Sequence, residues 1–352
     1  MRILCINLGF GGGCVFYANS ILEDLSIAKD VWINKYCEEP FSGAISRLRM
    51  GKGLFAMLWQ SALLLPIYLI KTLFTGCRYR CLVVFGPSNW DLAFIMLFRI
   101  LRKKTYYVVH DGIMHVGEEK KAHQWMLYQC MRRSTNLIFL SSYVKRKVEQ
   151  DFGIIKPHVI IPHGVVRYSS VNQQLVDLPL LPTFTLIGRI SYYKGIALLA
   201  EAIPLLDFSK IKQIVIAGSI SHSVEIPKDS NKIHIDNRWL STNDFDTYVK
   251  NSDFLLMPYL EATQSGIAAV SIGYAKPAIV TRVGAMQEQF SEEGAYFMDE
   301  ISAPCLANAI MASCGDNVKY RAVQRNLIRL SEKYSWKELA DKLNMYIEND
   351  LG

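Results

Sequence analysis

A chain of 352 residues is long enough for two domains, each with its own core. Hydrophobic residues make up 51% of the sequence and charged residues 20%, a balance that excludes a disordered chain. The eight cysteines are scattered, and the one close pair, Cys77 and Cys81, has no second pair or histidine nearby to complete a zinc site. We therefore expect free thiols in a reducing compartment and no bound metal.

Charge is distributed unevenly along the chain. Residues 1–170 contain 22 Lys and Arg against 11 Asp and Glu, a balance of +11, whereas residues 171–352 contain 17 against 21, a balance of −4; together they give the formal +7. Nucleic acid is disfavoured as the partner of the basic half, because no nucleic-acid-binding motif and no repeat of aromatic and basic residues is present. An anionic membrane surface is the partner we expect.

Short β-branched runs alternate with helical patterns from one end of the chain to the other. The predicted strands are RILCIN, DVWINKY, CLVVFG, TYYVVH, NLIFLS and HVIIPHG, followed later by TFTLIG, QIVIAG, KIHID, DFLLMP and PAIVT. Continuous apolar strands separated by helices predict α/β architecture with parallel sheets covered on both faces. The N-terminal MRILCINLGF predicts a first strand and a glycine turn, not a signal peptide.

The predicted strands divide into two sets around the polar, proline-containing stretch RYSSVNQQLVDLPLLP, which has the composition of a linker. We predict an N-terminal Rossmann-like domain over 1–170, a second over 171–335 and a closing helix over 336–352. The carboxyl edges of two such sheets are expected to leave a cleft between the domains, where ligands of this architecture bind.

One apolar segment, LFAMLWQSALLLPIYLIKTLF at 54–74, approaches the roughly 20 residues that a membrane span requires. Gln60, Ser61 and Pro66 interrupt it, and Lys71 lies near its end. These interruptions favour a buried or membrane-lying helix over a true span.

The first turn, NLGFGGG, places Gly11, Gly12 and Gly13 directly after a predicted strand. Glycines there permit unusual backbone angles and close approach of a ligand. The turn does not match the NAD fingerprint, because Cys14 stands where the third glycine belongs and the acidic residue expected after the second strand is missing. A turn that contacts a phosphate or an acceptor is favoured, and a plain tight turn remains open.

Two histidine motifs follow in the N-terminal half. In VVHDGIMHVGEE, His110 and Asp111 lie where a strand ends, the usual position of active-site groups in such sheets. His110 is a candidate general base or a partner for a sugar hydroxyl, and a purely structural pair is the alternative. In IPHGVV, His163 precedes the linker and could line the cleft or form part of a hinge.

The stretch LIGRISYYKG places two cations at a predicted turn between a strand and a helix. Gly188 lets the chain leave the sheet sharply, Arg189 offers a planar fork for phosphate oxygens and Lys194 a compact charge. A diphosphate leaving group gains negative charge as its bond to a sugar breaks, and fixed cations stabilise that charge. Ordinary surface cations are the alternative.

The stretch MPYLEATQSGIAAVSIGYAKPAIVTRVGAMQE supplies the other candidates. Glu261 follows a predicted strand, and Ser265 and Gly266 begin a helix whose first amides and dipole suit an anion or sugar oxygens. Glu288 ends a further turn and is a candidate contact in the cleft.

Taken together, GRISYYKG, PYLEATQSG, GYAKPAIVTRVGAMQE and YSWKELADKL resemble the family 4 glycosyltransferases of the GT-B fold, and the glycine turn, VHDGIMHVGE and IPHGV are similar to that family's N-terminal domain. The resemblance implies a retaining, metal-independent hexosyltransferase without a cofactor, whose C-terminal domain binds a nucleoside diphosphate sugar and whose N-terminal domain meets the acceptor. It places Arg189 and Lys194 on the donor diphosphate. Glu261 would lie near the donor sugar, and His110 would meet that sugar from the other domain.

The chain departs from the family at the second Glu of a Glu-x7-Glu motif, which usually holds the ribose and here falls at Ala269 or Val270. Sequences similar to EATQSG occur in bacterial surface-polysaccharide clusters, which implies O-antigen, capsule or exopolysaccharide assembly on a lipid-linked or saccharide acceptor. The expected location is cytoplasmic, on the inner face of the cell membrane.

Two rival functions remain open. A GT-B sugar-nucleotide epimerase would share the fold, but no additional pair of acid–base carboxylates is evident. An inactive membrane-associated scaffold is disfavoured by the intact Arg189, Lys194 and Glu261.

Overall fold

The computed structural model describes residues 2–38, 45–112, 121–221, 224–227 and 231–352. The chain divides into two units. Unit 1 comprises Met1–His163 together with Trp336–Gly352, and unit 2 comprises Gly164–Ser335. The division therefore falls at residue 164, not after residue 170, and the C-terminal helix is part of the first unit because its apolar face packs there.

Unit 1 is built on a parallel sheet. In its described residues the strands are β1 Arg2–Asn7, β2 Ala28–Asn34, β3 Ile45–Leu48, β4 Cys81–Val84, β5 Lys104–Val109, β6 Asn136–Phe139 and β7 His158–Ile160. They pair in parallel in the order β3-β2-β1-β4-β5-β6-β7. Six correspond to predicted strands. The unpredicted β3 is a four-residue edge strand, ISRL, in which two adjacent polar residues interrupt the alternation typical of a strand.

Helices cover both faces of this sheet. They are α1 Gly13–Asp24, α2 Leu54–Thr75, α3 Asp91–Ile100, α4 Lys121–Arg133 and α5 Ser142–Phe152. Because successive strand side chains point to opposite faces, Leu4 and Ile6 of β1 join one apolar cluster whereas Ile3 and Cys5 join the other. The continuous apolar strands of the sequence follow from this double coverage.

Unit 2 repeats the same plan. Its described strands are β8 Thr183–Ile187, β9 Gln213–Ala217, β10 Ile233–Asp236, β11 Phe254–Met257, β12 Ala278–Thr281 and β13 Tyr296–Met298. They pair in parallel in the order β10-β9-β8-β11-β12-β13. The helices are α6 Ile196–Ala202, α7 Thr242–Lys250, α8 Gly266–Gly273, α9 Met286–Phe290, α10 Ala303–Ser313 and α11 Asn317–Lys333. The prediction missed only the three-residue edge strand β13.

The chain then returns to unit 1 as α12, Trp336–Leu351. Leu339, Leu343 and Ile347 are buried in the same cluster as the apolar face of α1. Polar contacts fix its end, since the Asp350 carboxylate accepts hydrogen bonds from the Tyr106 hydroxyl at 2.5 Å and from Lys104 Nζ at 2.8 Å. The helix predicted at 336–352 thus completes the first core.

The apolar helix α2 has two different faces. One packs on unit 1 through Leu64, Leu65, Tyr68 and Leu69, and Trp90 Nε1 donates to Ser61 Oγ at 2.9 Å. The other face exposes a stripe of apolar side chains at helical spacing: Phe55, Leu58, Trp59, Leu63, Ile67, Ile70, Leu73 and Phe74. The helix is therefore not a buried core helix.

By length and composition alone, Phe55–Arg78 is apolar enough to cross a membrane, with a mean hydropathy of 1.4. It is the one such helix in the described part of the chain. Only 11% of the window that meets this criterion is buried inside the protein.

Two loops of unit 2 meet at Gly195. Its φ is +74°, in the left-handed region that favours glycine, and a Cβ there would lie 1.9 Å from the Pro258 carbonyl oxygen. The neighbouring Leu260 N donates to Tyr193 O at 2.8 Å. The absent side chain at Gly195 is therefore what lets the loop after β8 and the loop after β11 lie against each other.

We expect Gly195→Ala to destabilise unit 2 by roughly 3 kcal/mol, because the methyl group meets both a backbone carbonyl and an unfavourable φ. The measurement is the shift in urea midpoint followed by tryptophan fluorescence. Gly266→Ala is the matched control, since a Cβ at Gly266 has no atom within 4 Å. Equal midpoints for the two variants would contradict the packing described.

Candidate functional site

Both sheets have the strand order of a doubly wound fold, in which ligands bind where the order reverses. In unit 2 that point lies between β8 and β11. The loop that follows β8 holds Arg189 and Lys194, and the loop that follows β11 holds Glu261 and leads to Ser265 at the start of α8. The topology therefore brings four of the predicted residues to one edge of one sheet.

Tyr259 connects the two loops and is a residue that the sequence analysis missed. Lys194 Nζ donates to its hydroxyl at 3.2 Å and lies 4.8 Å from its ring centroid, a cation–π contact. Ser265 Oγ donates to the same hydroxyl at 3.4 Å, and Thr281 Oγ1 donates to the Tyr259 carbonyl at 2.6 Å. Tyr259 is buried, so these contacts hold Lys194 beside the start of α8.

The start of α8 is held by a second side chain that the sequence analysis missed. Ser265 caps the helix by accepting from Ala268 N, while Gln289 accepts from Ser265 N at 2.8 Å and donates to Ser265 O at 3.2 Å. Gly266 is exposed and has open space where a side chain would be. The first amides of the helix are therefore accessible to an anion.

The predicted cleft residue Glu288 precedes Gln289 in α9 and is exposed, and its carbonyl accepts from the Tyr334 hydroxyl at 3.3 Å. Gln289 is the residue of this turn that contacts the helix start. A contact of Glu288 with a ligand stays a prediction.

Two polar atoms in these loops, Ser191 Oγ and Gln264 Oε1, are buried and have no hydrogen-bond partner among the described residues. Leaving a buried polar atom unbonded costs on the order of 1–3 kcal/mol. Ser191 lies between Arg189 and Lys194, and Gln264 precedes Ser265. Each of these atoms needs a partner from outside the described protein atoms, either a water molecule or a ligand.

Positions 269 and 270, where a second Glu was sought in the sequence, have no space for a ligand. Ala269 and Val270 are both buried in α8, and the Ala269 carbonyl accepts from Val166 N at 3.2 Å. Neither side chain has a polar atom. These positions therefore offer a ribose no side-chain hydrogen bond.

In unit 1 the glycine turn leads from β1 into α1. Gly12 needs its glycine, because its φ is +85°. A Cβ on Gly13 would meet nothing within 4 Å, and one on Gly11 would meet only the Glu38 side chain. No side chain caps α1, so its first amides remain available to a ligand.

His110 lies at the end of β5 in a cavity of about 190 Å³ that Asp111 also lines. The imidazole is buried, its Nε2 donates to the Phe85 carbonyl oxygen at 3.0 Å, and it is hydrogen-bonded to Cys14. Burial alone would lower the pKa of His110, but Cys14, Asp111 and the Phe85 carbonyl together raise it to about 9. A role of His110 as a general base or as a partner for a sugar hydroxyl stays a prediction. Residues 113–120 of the same motif lie outside the described residues.

His163 is the last residue of unit 1 and is buried among aromatic rings. Its ring centroid lies 6.3 Å from that of Phe16, 5.9 Å from that of Tyr17 and 5.4 Å from that of Trp336. This packing supports a structural role at the end of the unit. Its contact with a ligand stays a prediction.

Unit 2, which contains the loops after β8 and β11, is similar in sequence to known glycosyltransferases. Residues 181–316 match the family described as "Glycosyl transferases group 1". An uncharacterized glycosyltransferase of Methanocaldococcus jannaschii is 22% identical over 221 residues, which cover 58% of this chain and 57% of that protein. The chain thus aligns with little more than half the length of that relative.

Solved structures resemble the whole chain. Sucrose-phosphate synthase from Thermosynechococcus elongatus has a TM-score of 0.72 at 15% identity, covering 99% of this chain and 98% of that one. Anabaena HepE in complex with UDP has a TM-score of 0.73 at 13% identity, with 99% and 100% covered. The lipopolysaccharide outer core galactosyltransferase WaaB has 0.70 at 12%, with 99% and 100% covered.

At these identities the structural likeness establishes the fold. The fold is GT-B, built from two Rossmann-like units with parallel sheets of seven and six strands in the described residues. The family match over the second unit and these structural neighbours support a glycosyltransferase.

Proposed function

We propose that this protein is a retaining glycosyltransferase that moves a sugar from a nucleoside diphosphate donor to a lipid-linked or saccharide acceptor during assembly of a bacterial surface polysaccharide. The observation that carries the proposal is the convergence of Lys194 and the α8 N-terminus on Tyr259, at the switch point of unit 2. An anion bound there meets one fixed cation and one set of accessible amides. Arg189 supplies a second cation from the same loop.

The diphosphate of a nucleotide-sugar fits this arrangement chemically. As the bond between the anomeric carbon and the phosphate oxygen breaks, negative charge grows on the diphosphate, and preorganised cations and amides stabilise it. Lys194 is preorganised because Tyr259 holds its ammonium group. No step of this scheme needs a metal ion. Anabaena HepE, which shares the fold, has been solved with UDP-glucose, which supports a nucleotide-sugar donor here.

Glu261 supplies the negative charge on the sugar side. It lies between β11 and α8, partly buried, in the loop that leads to Ser265. In a retaining reaction the acceptor attacks the face from which the leaving group departs, and a diphosphate oxygen takes the acceptor's proton. We therefore assign Glu261 to orienting donor hydroxyls and stabilising positive charge at the anomeric carbon. Ser191 and Gln264 complete their unmet hydrogen bonds with the donor.

The acceptor side of the proposal rests on unit 1. Gly11 and Gly13 leave open space beside the α1 amides, and His110 at the end of β5 would meet the donor sugar from this unit. A lipid-linked acceptor would be reached at a membrane surface. The exposed stripe of α2 fits that location, because basic residues precede it at Arg49 and Lys52 and follow it at Arg78. We infer a cytoplasmic protein that lies peripherally on the anionic inner face of the membrane, with α2 in the plane of the surface.

Arg189→Ala and Lys194→Ala are each expected to lower kcat by about 10²–10³-fold, because each removes a preorganised charge from the leaving group. Release of nucleotide and transfer of labelled sugar measure this effect. Arg325→Ala, which removes an exposed cation from α11, is the matched control and should leave kcat unchanged. Wild-type turnover in both test variants would contradict the diphosphate site, and epimerisation of the donor without an acceptor would contradict the transferase.

Glu261→Gln keeps the shape and most hydrogen-bonding capacity of the side chain but removes its charge. We expect donor affinity within about threefold of wild type and kcat lower by at least about 10²-fold. Isothermal titration with the donor and single-turnover kinetics separate the two quantities. A trapped glycosyl adduct on Glu261 by mass spectrometry would replace the positioning role with double displacement, and unchanged turnover per folded molecule would exclude both roles.

Leu63→Gln together with Ile67→Gln should weaken binding to vesicles of phosphatidylcholine and phosphatidylglycerol by at least about tenfold, because both side chains are exposed on α2 and would lie in the interface. Sedimentation with the vesicles measures binding, and high salt or alkaline wash should release the wild-type protein. Ile100→Gln, an exposed apolar position outside α2, is the control. Resistance of the wild type to carbonate extraction would indicate a span instead.

A further inference from the structure

Gln289 is a buried, uncharged side chain that forms two hydrogen bonds with the backbone at the start of α8. Its Oε1 accepts from Ser265 N at 2.8 Å, and its Nε2 donates to Ser265 O at 3.2 Å. The residue is only 7% exposed. The two bonds determine the orientation of the side-chain amide, because the reversed orientation would direct its NH₂ group at an N–H and its oxygen at a carbonyl. Gln289 therefore holds both backbone polar groups of Ser265.

The position of Gln289 depends on the close packing of two loops. Gly284, between β12 and α9, has a φ of +55°, and a Cβ there would lie 1.5 Å from the Ala262 carbonyl oxygen. Ala285 N donates to the same carbonyl at 3.1 Å. Because the loop after β12 thus lies directly on the loop after β11, α9 begins at the point from which Gln289 reaches the start of α8.

The peptide between Ser265 and Gly266 is the group that Gln289 orients. Its carbonyl oxygen, Ser265 O, accepts from Ala269 N at 3.2 Å as well as from Gln289. A peptide is planar, so a carbonyl that is held by two donors also fixes the direction of the N–H in the same peptide. That N–H belongs to Gly266, the first residue of α8.

The Gly266 amide is one of two that the helix start offers to an anion. Ser265 Oγ accepts from Ala268 N, and Ser265 O accepts from Ala269 N. The N–H groups of Gly266 and Ile267 have no acceptor within the helix, as in the first turn of any α-helix. Gly266 is exposed, and the backbone of glycine is freer to rotate than that of other residues. An external restraint on this peptide therefore matters more than it would beside a residue with a side chain.

We propose that Gln289 is a positioning residue for the donor diphosphate, which orients the Gly266 N–H toward the anion and leaves the positive potential of the α8 N-terminus unneutralised. This inference rests on the proposed function, in which the α8 amides and Lys194 bind the diphosphate. Gln289 acts through the Ser265–Gly266 peptide and not by contact with the ligand. A carboxylate at this position could also accept from Ser265 N, but its charge would oppose the positive end of the helix dipole and repel the ligand.

A purely structural role is the alternative, in which Gln289 only fastens α9 to α8. Both roles predict that loss of the side-chain amide lowers the urea midpoint of unfolding. They differ in the affinity of the folded protein for a diphosphate, which a fastening contact would leave unchanged.

Gln289→Met keeps the length of the side chain and removes both hydrogen bonds. We expect it to weaken the binding of inorganic pyrophosphate at least about fivefold, because the Gly266 N–H loses its fixed direction. Isothermal titration measures the affinity, under conditions in which circular dichroism shows the variant to be folded. Gln287→Met, the same change at an exposed position of α9, is the matched control and should bind pyrophosphate as the wild type does.

A nucleoside diphosphate localises the effect. Whichever of UDP, GDP and ADP the wild type binds most tightly should lose affinity in Gln289→Met by the same factor as pyrophosphate, because the weakened contact is with the group that the ligands share. A clearly larger loss for the nucleoside diphosphate would place the effect outside the diphosphate and would overturn the proposal.

Gln289→Glu separates charge from geometry. The carboxylate keeps an acceptor for Ser265 N, but its negative charge beside the anion should weaken pyrophosphate binding at least about tenfold. If Gln289→Met does not fold, this variant decides alone.

Pyrophosphate affinity equal to that of the wild type in a folded Gln289→Met or Gln289→Glu variant would overturn the positioning role. A wild-type protein that binds neither pyrophosphate nor a nucleoside diphosphate would overturn it as well. Failure of the proposed function has a different signature. A wild type that binds these ligands, with weaker binding in both Gln289 variants, but that transfers no sugar would support the positioning role and contradict the transferase.

Discussion

The arrangement of the proposed donor site depends on one close backbone contact, that of Gly195 with the Pro258 carbonyl. A side chain at residue 195 would separate the loops that follow β8 and β11. With the loops together, Lys194 reaches the Tyr259 hydroxyl, and that hydroxyl also receives Ser265 at the start of α8. The Gly195–Pro258 contact therefore also determines the electrostatics of the loops. It sets the positions from which the Lys194 charge and the α8 N-terminus can act on the same anion.

In each unit, a helix that begins with a glycine starts at the point where the strand order of the sheet reverses. In unit 2, Gly266 begins α8 with open space above it, and in unit 1, Gly13 begins α1 in the same way. The surroundings then differ. Lys194 is held beside α8 and Arg189 lies in the same loop, which is the basis of the proposed diphosphate contact. At α1 the neighbouring side chains are Cys14 and the buried His110, which line one cavity. The two helix starts have similar geometry, but different side chains surround them.

The helix α12 shows how the chain's far end contributes to the first unit. Its apolar residues fill the cluster beside α1, and Asp350 is held by Tyr106 and Lys104. The α1 helix that supports the glycine turn and Cys14 is thus packed against residues more than 300 positions away in the sequence. Stability of the unit 1 site depends on this return of the chain.

Local pattern alone predicted most of the strands, the α/β class and the two sheets, because hydrophobic periodicity and glycine positions act over a few residues. It also placed Arg189, Lys194 and Glu261 in the loops that follow β8 and β11, and their contact with a donor stays a prediction. The edge strands β3 and β13 were missed because runs of four and three residues are too short to show a strand period. Only the tertiary structure revealed the contacts of Tyr259 with Lys194, of Gln289 with Ser265 and of His110 with the Phe85 carbonyl. Each contact joins segments that are distant in the sequence and that the sheet order brings together. The same holds for α2, whose sequence is apolar all round. Only its packing on one side decided which apolar residues remain exposed.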